Sequence, residues 1–238
     1  MELQNRVAII TGASSGIGAG VAKTLDAAGM KLILTARSQD KLERLASGLK
    51  NATIVPGEIT VDNLPQKLVD TAINTFGQLD VVFSNAGVMN VGPIEEVNID
   101  KICEMVRINV ESVYRLAYTA LRHFKKTNSG FLIHTTSISG LKTMPQYGAY
   151  CGTKFAVEAF TDSLRMELAG TGIKVACIAP GTVDTGLYDE WSKEGKDYIT
   201  SGGSLQPEDI ARCVQFLLEQ PDHVLIPRLL AVPTNQPV

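Results

Sequence analysis

Seven short runs rich in β-branched residues punctuate this 238-residue chain: Val7–Thr11, Lys31–Ala36, Ala52–Pro56, Leu79–Ser84, Gly130–Thr135, Ile173–Ala179 and Val224–Ala231. Longer segments of helical periodicity separate them. A strand that reads as an almost unbroken apolar run is buried on both faces, and parallel neighbours need a helical crossover between them. The pattern predicts an α/β fold, a doubly wound parallel sheet with helices on both faces. The length is long for one domain and short for two, so a single domain over residues 1–238 is expected.

Charge and cysteine usage exclude several function classes. A net charge of -3 with 20% charged residues leaves no electrostatic footprint for nucleic acid or an anionic membrane. Cys103, Cys151, Cys177 and Cys213 are scattered without paired spacing, as are His123, His134 and His223. They read as reduced thiols and ordinary polar histidines, with no metal site. The opening MELQNRVAIITG enters a strand almost at once, and no apolar run is long enough to span a bilayer. A cytoplasmic protein is expected.

The first strand runs into Thr11-Gly12-Ala13-Ser14-Ser15-Gly16-Ile17-Gly18, with a helix beginning near Ile17. Glycines there allow a sharp turn and bring backbone N–H groups against a pyrophosphate, and the helix dipole favours the anion. Gly12, Ser14, Ser15, Gly16, Ile17 and Gly18 are thus candidate contacts to a dinucleotide in a Rossmann-like fold. An acid at the end of the second strand would bind a ribose 2′-hydroxyl, but Ala36-Arg37 stands there. A guanidinium suits a 2′-phosphate, so NADP is favoured over NAD. The alternative is a solvated Arg37 pairing with Asp40.

Tyr150 and Lys154 lie four apart at the start of an apolar helical run, thirteen residues after Ser137. On one helix face the lysine is expected to lower the tyrosine pKa and make the phenol a usable acid or base. A helix near Ile99 to Phe124 carries an apolar stripe that includes Ile102, Val106, Val113 and Ala117, and Asn109 falls on it. A buried amide needs partners, so Asn109 is expected to hold a water or a backbone group.

With TGASSGIG, Asn85-Ala86-Gly87, Ser137, Tyr150-Cys151-Gly152-Thr153-Lys154 and Pro180-Gly181 in order, the chain resembles the short-chain dehydrogenase/reductase family over essentially its whole length. The resemblance implies a seven-stranded sheet in the order 3-2-1-4-5-6-7, a nicotinamide cofactor and a homodimer or homotetramer. It makes Tyr150 the proton donor or acceptor at a carbonyl or alcohol oxygen, with hydride exchanged at the same carbon. Lys154 would hold the nicotinamide ribose, Ser137 would orient the substrate oxygen, and Asn109 would support a water relay to the lysine. Ser139 stands nearby, but the family spacing selects Ser137. Asn85, Ala86 and Gly87 would line the cofactor, with sheet stabilisation as an alternative role for Asn85. Pro180, Gly181, Val183 and Thr185 would lie beneath the nicotinamide. The chain departs from the family in Glu58-Ile59-Thr60, where a shorter acid normally meets the adenine, leaving Ile59 to serve through its backbone, and in Ser84 before Asn85.

The resulting expectation is an NADP(H)-dependent oxidoreductase acting on a small to medium carbonyl or secondary alcohol. The runner-up is a non-catalytic NADP(H)-sensing regulatory protein on the same fold, and the intact tyrosine and lysine argue against it. Epimerase or dehydratase chemistry would call for a larger C-terminal region. The irregular stretch 184–206 suits a substrate loop. Val88, Met89, Ile138, Leu141, Met144, Pro145, Tyr188 and Trp191 are candidate pocket residues, with Lys142, Lys193 and Lys196 near enough to meet a carboxylate. Phe155, Val157, Phe160 and Leu164 supply more apolar surface than one covered helix face requires, which points to subunit packing. The run His223–Pro233 could complete the sheet edge.

Overall fold

The computed structural model describes residues 1–188 and 193–236. Its strands are β1 (Val7–Thr11), β2 (Lys31–Thr35), β3 (Ala52–Ile54), β4 (Val81–Ser84), β5 (Gly130–Thr135), β6 (Ile173–Pro180) and β7 (Arg228–Ala231). They form one sheet in the order β3-β2-β1-β4-β5-β6-β7. Every pairing is parallel. All seven expected strands are present. Most ends fall where expected and four move by a residue or two, but β7 begins at Arg228 instead of Val224, because the Val224 N–H is spent on a turn to the Pro221 carbonyl.

The helices are α1 (Gly16–Ala27), α2 (Gln39–Ala46), α3 (Leu64–Phe76), α4 (Ile99–Val106), α5 (Ser112–Thr127), α6 (Gly148–Glu167), α7 (Lys193–Thr200) and α8 (Pro207–Glu219). Ala8 and Ile10 of β1 face a core shared with α1 and α8, whereas Val7 and Ile9 face one shared with α3 and α5. Two covered faces explain why the strand has no polar alternation.

Two readings of helical segments need correction. The stretch 99–127 is not one regular helix: a π-helical turn, Arg107–Glu111, joins α4 to α5. That wider turn shifts the helix phase, so Val106 is exposed and Met105 and Ile108 are buried instead. The segment 184–206 is also less irregular than expected, since it contains α7 and a bridge between Val183 and Leu205. Trp191 lies outside the described residues. Among the described residues no helix is long and apolar enough to cross a membrane, and all four cysteines are free thiols.

Because all seven strands run the same way, the C-terminal ends of β1, β2, β4, β5 and β6 open on one edge, where ligands bind in open α/β sheets.

Candidate active site

At that edge lies a cleft of about 940 Å³. Its first wall is the turn from β1 into α1. Gly16 has φ +51°, a conformation that side chains with a Cβ rarely adopt, and a Cβ there would come within 2.9 Å of Thr185 Cγ2. A Cβ on Gly18 would collide with the Gly12 carbonyl oxygen. The Ser15 N-cap makes no side-chain hydrogen bond, and no acid occupies the first turn of α1. The helix therefore offers its first N–H groups to the cleft, which fits a diphosphate.

Asn85 holds the strand ends together. Its N–H and that of Ala86 donate to Thr11 Oγ1 at 2.9 and 3.0 Å, and its amide nitrogen donates to the Thr11 carbonyl at 3.0 Å. Thr135 Oγ1 donates to the Asn85 side-chain oxygen at 3.1 Å. The side chain thus spans β1, β4 and β5, the sheet-stabilising role foreseen as an alternative, while Asn85, Ala86 and Gly87 also line the cleft.

Further along the cleft, Tyr150 and Lys154 project from the first turns of α6, and Ser137 follows β5. All three are buried yet line the cleft. Ser137 and Tyr150 both line the cleft, and the Ser137 hydroxyl bears on the acidity of the phenol. The Ser137 oxygen also accepts the Ser139 N–H at 3.1 Å, so Ser139 orients Ser137 through its backbone. Lys154 Nζ donates to the Thr135 carbonyl at 3.1 Å and sits 5.7 Å from the centre of the Tyr150 ring. Burial lowers the Lys154 pKa to about 8, against the opposing influence of Cys177 and Glu158.

The expected lowering of the Tyr150 pKa is overturned. Burial pushes the phenol above its ordinary range, Tyr188 adds to the rise, and the Ser137 hydroxyl works against it. A helix-face argument counts the neighbouring cation but not the desolvation of the phenol, and here desolvation dominates.

Asn109, only 1% exposed, sits in the π-turn. Its oxygen accepts the Val88 N–H at 2.9 Å, and its nitrogen donates to the Val88 carbonyl at 2.8 Å and to Thr153 Oγ1 at 3.2 Å. Of the two partners expected, the one seen is a backbone group. Asn109 and Gly18 lie behind the cleft wall and support it; the remaining candidate residues line it.

The end of the cleft beyond β2 is bounded by Arg37, Glu58 and Ile59. Arg37 faces Glu58, with Nε 4.0 Å from Oε2, and not Asp40. Beyond the sixth strand, Pro180, Gly181, Val183 and Thr185 line the opposite side. Gln236 joins them by accepting the Thr182 N–H at 2.9 Å, a contact 54 residues apart that no local pattern could reveal.

The outer cleft is mainly apolar, with Val88, Met89, Ile138, Met144 and Tyr188 in its wall as expected. Leu141 and Pro145 are not part of it, and Lys142 points to solvent. Tyr147, Leu187, Ile199 and the polar pair Lys101 and Glu104 were missed. Lys101 and Glu104 read as ordinary charges on a helix, and only the folding of α4 over the cleft brings them there. Among the described residues no cluster of three or more His, Cys, Asp or Glu side chains could hold a metal ion.

The family model described as short chain dehydrogenase matches residues 6–196. The chain belongs to this family. Among its relatives, an uncharacterised oxidoreductase of Staphylococcus aureus is 35% identical over 97% of this chain and 98% of its own length. One from Listeria monocytogenes is 35% identical over 100% of both chains. An alcohol dehydrogenase of the archaeon Thermococcus sibiricus, complexed with 5-hydroxy-NADP, superposes with a TM-score of 0.88 at 29% identity over 99% of each chain. A serine dehydrogenase complexed with NADP+ superposes at 0.91 with 25% identity, covering 98% of this chain and 96% of the other. The short-chain dehydrogenase fold is therefore present from end to end, with its glycine turn, serine, tyrosine and lysine on one cleft.

Proposed function

We propose that the protein is an NADP(H)-dependent oxidoreductase that interconverts a small to medium carbonyl compound and its secondary alcohol. The observation that carries this reading is the placing of Ser137, Tyr150 and Lys154, all three buried, together in the cleft that begins at the glycine turn. A carbonyl oxygen bound there meets a hydroxyl that can orient it and a phenol that can protonate it.

The bound nicotinamide supplies or accepts the hydride. Tyr150 gives its proton to the oxygen during reduction and takes it back during oxidation. Burial keeps the phenol protonated in the protein alone, the state needed to donate. Lys154, as an ammonium 5.7 Å from the Tyr150 ring, would stabilise the phenolate left behind and hold the nicotinamide ribose. Gly12, Ser14, Ser15, Gly16 and Ile17 would cradle the diphosphate, Ile59 would serve the adenine through its backbone, and Val183 and Thr185 would lie near the nicotinamide.

The preference for NADP rests on Arg37 at the rim, with no carboxylate at the end of β2. Lys41 adds a second cation, lining both the cleft and an adjoining hollow bordered by Lys23 and Arg44. NADP in the related alcohol and serine dehydrogenases supports the same choice. The apolar outer wall favours a substrate with an apolar body, and Leu187, Tyr188 and Ile199 of segment 184–206 contribute to it. Free thiols suit a reducing compartment, which favours the cytoplasm.

A homodimer or homotetramer is also proposed, with a changed patch. Val157 and Leu164 are covered within the chain, so Phe155, Tyr118 and Met166 remain as the exposed apolar groups of α5 and α6. The decisive experiment is NADPH consumption with a panel of aldehydes and ketones, repeated with Tyr150→Phe. Activity that collapses in the variant supports the reading; activity that survives removes Tyr150 as the proton donor.

A further inference from the structure

Behind Lys154, one helical turn along α6, Glu158 is a carboxylate only 5% exposed. Thr136 Oγ1 donates to its Oε1 at 2.6 Å. On the other side Arg228, the first residue of β7, donates to Oε2 through Nε at 2.8 Å and lies 2.7 Å away through Nη2. Arg228 Nη2 also comes within 3.8 Å of Asp162, one turn further along α6. Glu158 is buried but Arg228 is exposed, its side chain 38% accessible, so the carboxylate alone is withdrawn from water, and apolar packing at that point would serve stability as well.

The pair's neighbours suggest why it is there. Thr136 stands between Thr135, whose carbonyl receives the Lys154 ammonium, and Ser137, which lines the cleft with Tyr150. The turn after Ser137 presses on the same carboxylate: a Cβ on Gly140 would lie 3.1 Å from Glu158 Cγ and 3.1 Å from the Lys154 carbonyl oxygen. One carboxylate thus joins the helix bearing Tyr150 and Lys154 to the strand end bearing Ser137. Arg228 ties that junction to the far edge of the sheet.

We propose that Glu158 and Arg228 are positioning residues that set the register of α6 against β5 and, by the balance of their charges, tune the acidity of Lys154. This rests on the reading of Lys154 as part of the reaction machinery. The titratable groups around the ammonium are Glu158 and Tyr150 on its own helix, Cys177 on β6 and His134 on β5. Glu158 and Cys177 raise the Lys154 pKa. Burial lowers the His134 pKa to about 3, so that ring stays neutral and does not titrate alongside.

Removing either member of the pair alone should shift Lys154 in opposite directions. Glu158→Gln removes a negative charge and leaves Arg228 uncompensated, so the ammonium should lose its proton at lower pH. Arg228→Met leaves the carboxylate uncompensated, so the proton should be held to higher pH. The double variant should return close to the wild type.

The test reads Lys154 directly, through the pH dependence of its acetylation by acetic anhydride, followed by mass spectrometry and independent of turnover. A wild-type midpoint near the value of about 8 is expected, with opposed shifts in the two single variants. In parallel, kcat should fall about 10-fold or more in each single variant with KM little changed, as misplacement of reacting groups requires. Thr136→Val keeps both charges and cuts the link to β5, so it should lower kcat without moving the midpoint. It also serves if Glu158→Gln fails to fold. Midpoints that stay put or shift in the same direction, or an unchanged kcat in folded variants, would overturn the proposal. If the wild type reduces no carbonyl, the functional reading fails while the labelling result still decides this one.

Discussion

Lys154 Nζ lies 5.7 Å from the centre of the Tyr150 ring but donates its hydrogen bond to the Thr135 carbonyl. The two groups share a cleft without sharing a proton, and each is perturbed by burial toward its neutral form. For Tyr150→Phe the expected result is loss of turnover by at least about 100-fold, the scale of a positioned proton donor. NADPH affinity, measured by fluorescence titration, should change little because the ring remains in place.

The depressed Lys154 pKa makes a statement about stability. The folded protein releases this proton near pH 8 and the unfolded chain near 10.5, so between those values the unfolded state binds more protons. Stability from this group therefore rises as pH climbs through that window and is lost as pH falls back through it. Tyr150 acts oppositely above its ordinary value of 10, where a raised pKa favours the folded state less and less. Lys154→Met should consequently raise the melting temperature at neutral pH by at least about 2 °C while abolishing activity. Calorimetry at neutral pH and near pH 10 should show the gain shrinking as pH rises.

Glu58 restrains Arg37 through an exposed contact at 4.0 Å. Glu58→Gln should free the guanidinium and tighten NADP binding by about 2- to 5-fold, the modest effect of a surface pair. Arg37→Asp should weaken NADP by about 10-fold or more and leave NAD binding equal or better. Isothermal titration with both cofactors separates these outcomes.

Asn109→Ala would leave the buried Val88 N–H and carbonyl without their side-chain partner. The expected loss of stability is about 1–3 kcal/mol, the desolvation penalty of an unpaired buried group. Urea unfolding measures it. A fall in kcat larger than the change in cofactor affinity would indicate a part in proton movement beyond holding Val88.

Legibility in the sequence followed the range of the forces involved. The strand cores, the glycine turn and the Tyr150–Lys154 spacing depend on periods of two to four residues and on local backbone freedom. They could be read directly. Val106 was misassigned because a π-turn changes the helix phase, and nothing in Arg107–Glu111 announces one. The direction of the Tyr150 shift depends on how deeply the phenol is covered, which only tertiary packing decides. Gln236, Lys101 and the Arg37–Glu58 contact are likewise products of chain crossings, not of spacing. The overestimate at Val157 and Leu164 has the same source: helix periodicity shows that a face is apolar but not which neighbour covers it.

The hydrogen bonds that run from Thr11 through Asn85 to Thr135 act as a bracket across three adjacent strand ends. A bracket of this kind cannot spread to admit a larger ligand. The opposite bank is tied within itself instead, with Val183 bridged to Leu205 and Thr182 Oγ1 donating to the Ile199 carbonyl at 3.2 Å. The two banks are thus fastened separately, one across the strand ends and one within the chain beyond β6, so a substitution in either fastening should be felt first on its own side of the cleft.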